Sequence, residues 1–85
     1  AEGVPIVAVE VRPNAISHTM YPWPKPVAVV FGNEVFGIAD KTIARCDAVV
    51  QIPMLGHKNT INVATAFGIV LFEILRRWNA LATDF

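Results

Sequence analysis

The residues with the most usable chemistry lie in two short loops and at the start of one helix. Gly32-Asn33-Glu34-Val35-Phe36-Gly37 holds two glycines and one carboxylate, directly after the apolar run Val27 to Phe31. Ile52-Pro53-Met54-Leu55-Gly56 puts a proline and a flexible thioether at the tip of another apolar run and leads to Asn59, Thr60 and Asn62. In parallel α/β sheets ligands collect at the carboxyl ends of strands, so these turns are where a ligand is expected. The first is neither a dinucleotide fingerprint nor a phosphate-binding P-loop, because the glycine spacing differs and no Gly-Lys-Ser/Thr follows. It makes a backbone-lined pocket with Glu34 as its carboxylate. Taken singly, these residues also fit a purely structural reading, with glycines in tight turns, Pro53 stopping a strand and Thr60 capping a helix.

The elements that must hold these turns follow from the pattern of the chain. Pro5 to Val11 is a β-branched run with prolines at its start and just past its end, which reads as a strand. Asn14 to Pro26 should be a short helical turn and an irregular connector, since the residue before each of Pro22, Pro24 and Pro26 is pushed out of the helical region. Val27 to Phe31 is continuously apolar, as expected of a strand covered on both faces. Asp40 reads as the N-cap of a short helix reaching Cys46, and Ala48 to Ile52 as a strand stopped by Pro53. Thr60 reads as the N-cap of a last helix over about 61–78, with Arg76 and Arg77 placed favourably against its C-terminal dipole. The sum is an α/β fold with a parallel sheet and helices on both faces. The last helix is apolar almost all round, from Val63 through Phe67, Val70, Leu71 and Ile74 to Trp78, and so demands cover on two sides. Packing between subunits meets that demand, with Ala64, Ala66 and Gly68 allowing close approach.

Composition narrows the function. The chain has 85 residues, 7 Lys plus Arg against 7 Asp plus Glu, 54% hydrophobic residues and one cysteine. Zero net charge argues against a polyelectrolyte partner bound through phosphates alone, while shape-specific RNA recognition remains open. A lone Cys46 builds no disulfide framework and there is no paired-cysteine metal spacing, so a reducing, cytoplasmic compartment and no metal are expected. No signal peptide is visible, and no apolar run approaches the ~20 residues that span a bilayer, so no membrane is expected. His18 and His57 read as solvated loop histidines, and Cys46 as a small buried hydrophobe. Tyr21 and Trp23 either stack on RNA bases or pack over the proline-rich connector. Lys25, Arg45 and Lys58 read as ordinary surface cations.

Order and spacing together carry more than any single residue. FGNEVFGIADKTIARCDAVVQIPM followed by GHKNTINVATAFGIVLFEILRRW resembles the second and third signature motifs of the SpoU, or TrmH-like, RNA 2′-O-ribose methyltransferases of the SPOUT superfamily. Gly32-Asn33-Glu34 with Gly37 is similar to the family's glycine-acid-glycine loop, Cys46-Asp47 to its helix exit, and Ile52-Pro53-Met54 to its cofactor loop. Thr60-Ile61-Asn62-Val63 stands where the family has Ser-Leu-Asn-Val, two conservative exchanges. The resemblance runs from about Gly3 to Trp78.

The resemblance implies a trefoil-knotted parallel sheet, an exception to the unknotted rule. It implies S-adenosylmethionine as cofactor, tRNA or rRNA as substrate, and a homodimer through helix 61–78. Backbone groups of Gly32, Ile52 and Ile61 would make the principal cofactor contacts, and Asn33, Gly37, Pro53 and Met54 would complete the wall. Glycine suits position 32 because backbone that touches a ligand leaves no room for a Cβ.

The implied reaction is in-line attack of a ribose 2′-hydroxyl on the sulfonium methyl, which needs positioning and removal of the hydroxyl proton. Glu34, Thr60 and Asn62 are the candidate catalytic-site side chains. Thr60 and Asn62 would orient ribose or phosphate, and Glu34 would organise the loop or substrate rather than act as base, since a solvated glutamate titrates near ~4.3. The family's first motif, an asparagine followed by an arginine that activates the hydroxyl, is not found here, and Arg12-Pro13-Asn14 has those residue types in the wrong order after the wrong strand. Residues 1–85 are therefore expected to be the C-terminal, cofactor-binding and dimerising part of a methyltransferase domain, inactive alone. The alternative is a non-catalytic SPOUT-like RNA-binding or dimerisation module.

Overall fold

A computed structural model of the chain describes residues 3–32, 37–53 and 62–79. Strand β1 (Ile6–Val9) lies between β3 (Ala28–Phe31) and β4 (Ala48–Gln51), and the short β2 (Ile16–Ser17) lies beyond β4. All three pairings are parallel, with Val9 level with both Phe31 and Val50. Helix α1 covers Asp40–Ile43 and α2 covers Val63–Arg77.

Position in the sheet decides burial more than apolarity does. Central β1 buries Val7, Ala8 and Val9, whereas β3, the more continuous apolar run, sits at the sheet edge and is only half-buried. Among the described residues the cover expected on both faces of residues 27–31 is only partial, because strand order is a tertiary choice that no local pattern encodes. The first strand is also shorter than residues 5–11. Val11 is exposed, and the Arg12 side chain turns to Ile38 and Asp40. In residues 14–26 the expected helical turn is replaced by β2, whose extension is held by His18 N–H donating to the Gln51 carbonyl and Gln51 Nε2 donating to the Ala15 carbonyl. A strand this short has no periodicity to detect.

One face of the sheet packs on α2 through Val7, Val9, Val50, Ile52, Ala66, Val70 and Ile74, with Trp23 closing the cluster. Both tryptophans anchor the connector. Trp23 Nε1 donates to the His18 carbonyl, and Trp78 Nε1 donates to the carbonyls of Trp23 and Pro24 at 3.2 and 3.1 Å. Trp23 is buried with Tyr21 edge-on at 5.1 Å, so packing is the reading that holds for this tryptophan. His18 is buried as well, contrary to a solvated loop histidine, because β2 pairing carries it under the connector. Cys46 is half-buried rather than buried. Its thiol donates to the Thr42 carbonyl, and desolvation, then Asp47, push its pKa up, away from thiolate reactivity.

Helix α2 starts later than expected. Asn62, not Thr60, is its N-cap, with Oδ1 accepting from Ala64 N–H at 2.8 Å and Thr65 N–H at 3.3 Å. Asp40 likewise is the first residue of α1 and not its cap; Ala39 holds that place and the Asp40 carboxylate goes to Arg12. The buried residues of α2 are Ala66, Val70, Glu73 and Ile74, a single stripe, while Leu71 and Phe72 are exposed and Phe67, also exposed, meets Phe31 edge-on at 5.8 Å. Within the described residues the second cover is therefore not supplied.

The buried carboxylate on that stripe is satisfied by a bidentate bond. Arg76 donates to both Glu73 oxygens at 2.9 and 2.7 Å. These bonds hold the Glu73 pKa below the ordinary carboxylate value despite desolvation, with His18 and Arg77 adding smaller fields. Because the folded-state pKa is depressed, the unfolded chain takes up the proton first. The stabilisation is then complete above the ordinary glutamate pKa of about 4.3 and is lost as pH falls through the lower folded value. Thermal melts across acid pH should show a steeper decline in wild type than in Glu73→Gln. Parallel declines would mean that Glu73 does not contribute.

Candidate functional site

The carboxyl ends of β4, β1 and β3 lie side by side, which brings Ile52 and Gly32 to the same end of the sheet. With one strand between them, two strand spacings separate β3 from β4, or about 9–10 Å. Ile52 turns its side chain into the core cluster, leaving its peptide groups as its contribution to the tip, and Pro53 beside it is exposed.

Gly32 is constrained from within the protein. A Cβ there would lie 2.6 Å from the Gly37 carbonyl carbon and 2.8 Å from the Ile38 nitrogen, so the entrance and exit of the loop touch at their backbones. The expected reason for glycine, approach of a ligand, is thus joined by a structural one. Gly37 has φ +70°, and a Cβ on it would collide with Glu10 Oε1. Both glycines of the loop are needed before any ligand arrives.

A network the sequence reading missed braces this loop. Glu10, just past β1, accepts from Ile38 N–H through Oε1 and from Arg12 Nε through Oε2, the latter at 2.6 Å. Arg12 Nη2 also donates to the Ile38 carbonyl at 3.2 Å and to Asp40 Oδ1 at 2.9 Å. The available signal was a charged pair at the end of an apolar strand. Its importance depends on β1 being central, which puts its tip between the other two. Asn62 stands at the start of α2 with Oδ1 given to the helix amides. Asn33, Glu34, Met54, Thr60 and Ile61 lie outside the described residues. Among the described residues, no cluster of His, Cys, Asp and Glu could hold a metal, and no helix is long and apolar enough to cross a membrane.

The same parallel α/β fold occurs in known proteins. A tRNA (guanosine(18)-2′-O)-methyltransferase of Thermus thermophilus is 35% identical over 75 residues, covering 88% of this chain and 39% of that protein. The solved structure of the A. aeolicus TrmH/SpoU tRNA modifying enzyme superposes with TM-score 0.81 at 31% identity, over 92% of this chain and 40% of that one. An AdoMet-bound rRNA methyltransferase from Sinorhizobium meliloti gives TM-score 0.82 at 31% identity, over 98% of this chain and 31% of that one. The chain thus spans about two fifths of the length of the Thermus relative. The model of the SpoU rRNA Methylase family matches residues 1–72, which include both loops, the brace from Glu10 and the first two thirds of α2. With the motifs, the parallel topology and the alignment in agreement, this chain belongs to the SpoU rRNA methylase family.

Proposed function

We propose that residues 1–85 form the C-terminal, cofactor-binding part of a SpoU-type methyltransferase domain that acts in S-adenosylmethionine-dependent 2′-O-methylation of ribose in tRNA or rRNA. The observation that carries this reading is that Gly32 and Ile52 follow the two strands flanking β1, at the same end of the sheet, with the ends of the first loop meeting backbone to backbone. The residues fit the group: at Gly32 there is no side chain and at Ile52 it is buried, so the donors on offer are peptide groups, suited to an uncharged adenine and ribose.

When bound, the cofactor supplies a methyl on a sulfonium, open to displacement by the ribose 2′-oxygen. Gly32, Asn33, Gly37, Ile52, Pro53, Met54 and Ile61 are the residues that would hold it. Glu34, Thr60 and Asn62 are the side chains that would orient loop and ribose by hydrogen bonds. The trefoil knot, dimerisation through the exposed Phe67, Leu71 and Phe72 face of α2, and a cytoplasmic setting complete the reading. The A. aeolicus and Sinorhizobium proteins, named for tRNA and rRNA, support an RNA substrate without choosing between the two.

Isothermal titration calorimetry of the folded chain with S-adenosylmethionine tests the proposal. A saturable heat at one site per chain is expected; a chain with native circular dichroism and no heat of binding sinks it.

A further inference from the structure

We propose that Glu10 is a positioning residue of the methyl-donor site, its carboxylate clasping the exit of the loop after β3 while Arg12 holds that carboxylate in register. This inference rests on the cofactor reading above and assigns the part played in it by the tip of the central strand.

Glu10 is central by topology. Its own N–H donates to the Val50 carbonyl at 2.9 Å, tying it to the β4 side, while its side chain reaches across to the loop on the β3 side. Both carboxylate oxygens are engaged, one by Ile38 N–H and one by Arg12 Nε. The Ile38 carbonyl in turn accepts from Arg12 Nη2, so both peptide groups of that residue are gripped by two neighbouring side chains. Because Ile38 and Gly37 are also the atoms that a Cβ on Gly32 would strike, fixing Ile38 fixes the space beside Gly32.

Exposure separates the strong link from the weak one. The Asp40 side chain is 93% exposed, so its pair with Arg12 is a solvated surface contact of little value. The Glu10 side chain is 18% exposed, and a charge-assisted bond to a backbone amide there is the stronger kind. Glutamine at position 10 would keep an oxygen for Ile38 N–H but turn an NH2 toward Arg12 Nε–H, donor against donor. Glutamine at position 12 places an oxygen where arginine has Nε, which restores a donor-acceptor pair.

The test uses the full chain and two readouts, calorimetric Kd for S-adenosylmethionine and amide hydrogen exchange at Ile38 by NMR. Glu10→Gln should weaken binding by about tenfold, the worth of one charge-assisted bond, and speed Ile38 exchange by a similar factor. Glu10→Gln combined with Arg12→Gln should recover part of both, since the contact between positions 10 and 12 is restored while the Arg12 Nη2 bond to the Ile38 carbonyl is lost. Wild-type Kd in Glu10→Gln overturns the proposal, and does so even if the melting temperature falls, since Glu10 would then serve stability alone. If the wild-type chain binds no S-adenosylmethionine, the cofactor reading fails, and the proposal for Glu10 as part of a methyl-donor site falls with it; Ile38 exchange then reports separately whether Glu10 holds the loop.

Discussion

Gly32→Ala is expected to weaken S-adenosylmethionine binding by roughly ten- to a hundredfold, or about 1.4–2.7 kcal/mol, while leaving the sheet in place. The added methyl would sit 2.6 Å from Gly37 backbone carbon and 2.8 Å from the Ile38 nitrogen, distances that no rotamer change relieves because both neighbours are main chain. The Ile38 side chain, at 2.7 Å, can turn away; the two backbone atoms cannot. The loop exit must therefore move off Gly32, against the grip of Glu10. Overpacking of this kind costs typically about 1–3 kcal/mol of stability, so the variant should fold but melt earlier. Calorimetry and a thermal melt on the same sample check both halves. An unchanged Kd would take Gly32 out of the site, and an unchanged melting temperature would show that the loop yields freely.

Trp23→Ala should be among the most damaging single changes to stability, at about 3–5 kcal/mol. The indole is 5% exposed, belongs to the cluster joining β1, β4 and α2, and donates through Nε1 to the His18 carbonyl. Its removal leaves a cavity and an unpaired carbonyl beside buried His18. Marginal stability scales at roughly 0.05–0.15 kcal/mol per residue, or about 4–13 kcal/mol for a chain of this length, so the loss is a large share of the whole. Trp23→Phe keeps most of the apolar volume and gives up the indole bond, and should cost about 1–2 kcal/mol. Urea denaturation of the two variants separates packing from hydrogen bonding. A Trp23→Ala midpoint close to that of wild type would place the connector outside the cooperative core.

The two predictions differ in how far the sequence led to them. Gly32 stands out because a glycine after an apolar run signals a turn. Its steric reason lies five and six residues away in sequence and is visible only once the loop has closed on itself. Trp23, set among three prolines, admitted two readings, stacking on RNA or packing inward, and the structure decides for the core. The helix cap illustrates a local ambiguity: Thr60 and Asn62 both have capping side chains, and Asn62 wins by bonding Ala64 and Thr65. His18 was misread because its burial follows from a two-residue strand with no pattern of its own.

By itself the sequence determined the α/β class, the places of three strands and the long helix, and the two loops whose spacing marks the family, since each depends on periodicity, proline, glycine or motif order within a few residues. The tertiary structure alone decided that, among the described residues, β1 is central and β3 an edge, that one face of α2 is left open, and that Glu10 and Arg12 reach the loop exit. The physical reason is that strand order and side-chain reach depend on which distant segments pair, and the pairing that minimises exposed apolar surface and unpaired backbone is a property of the whole chain.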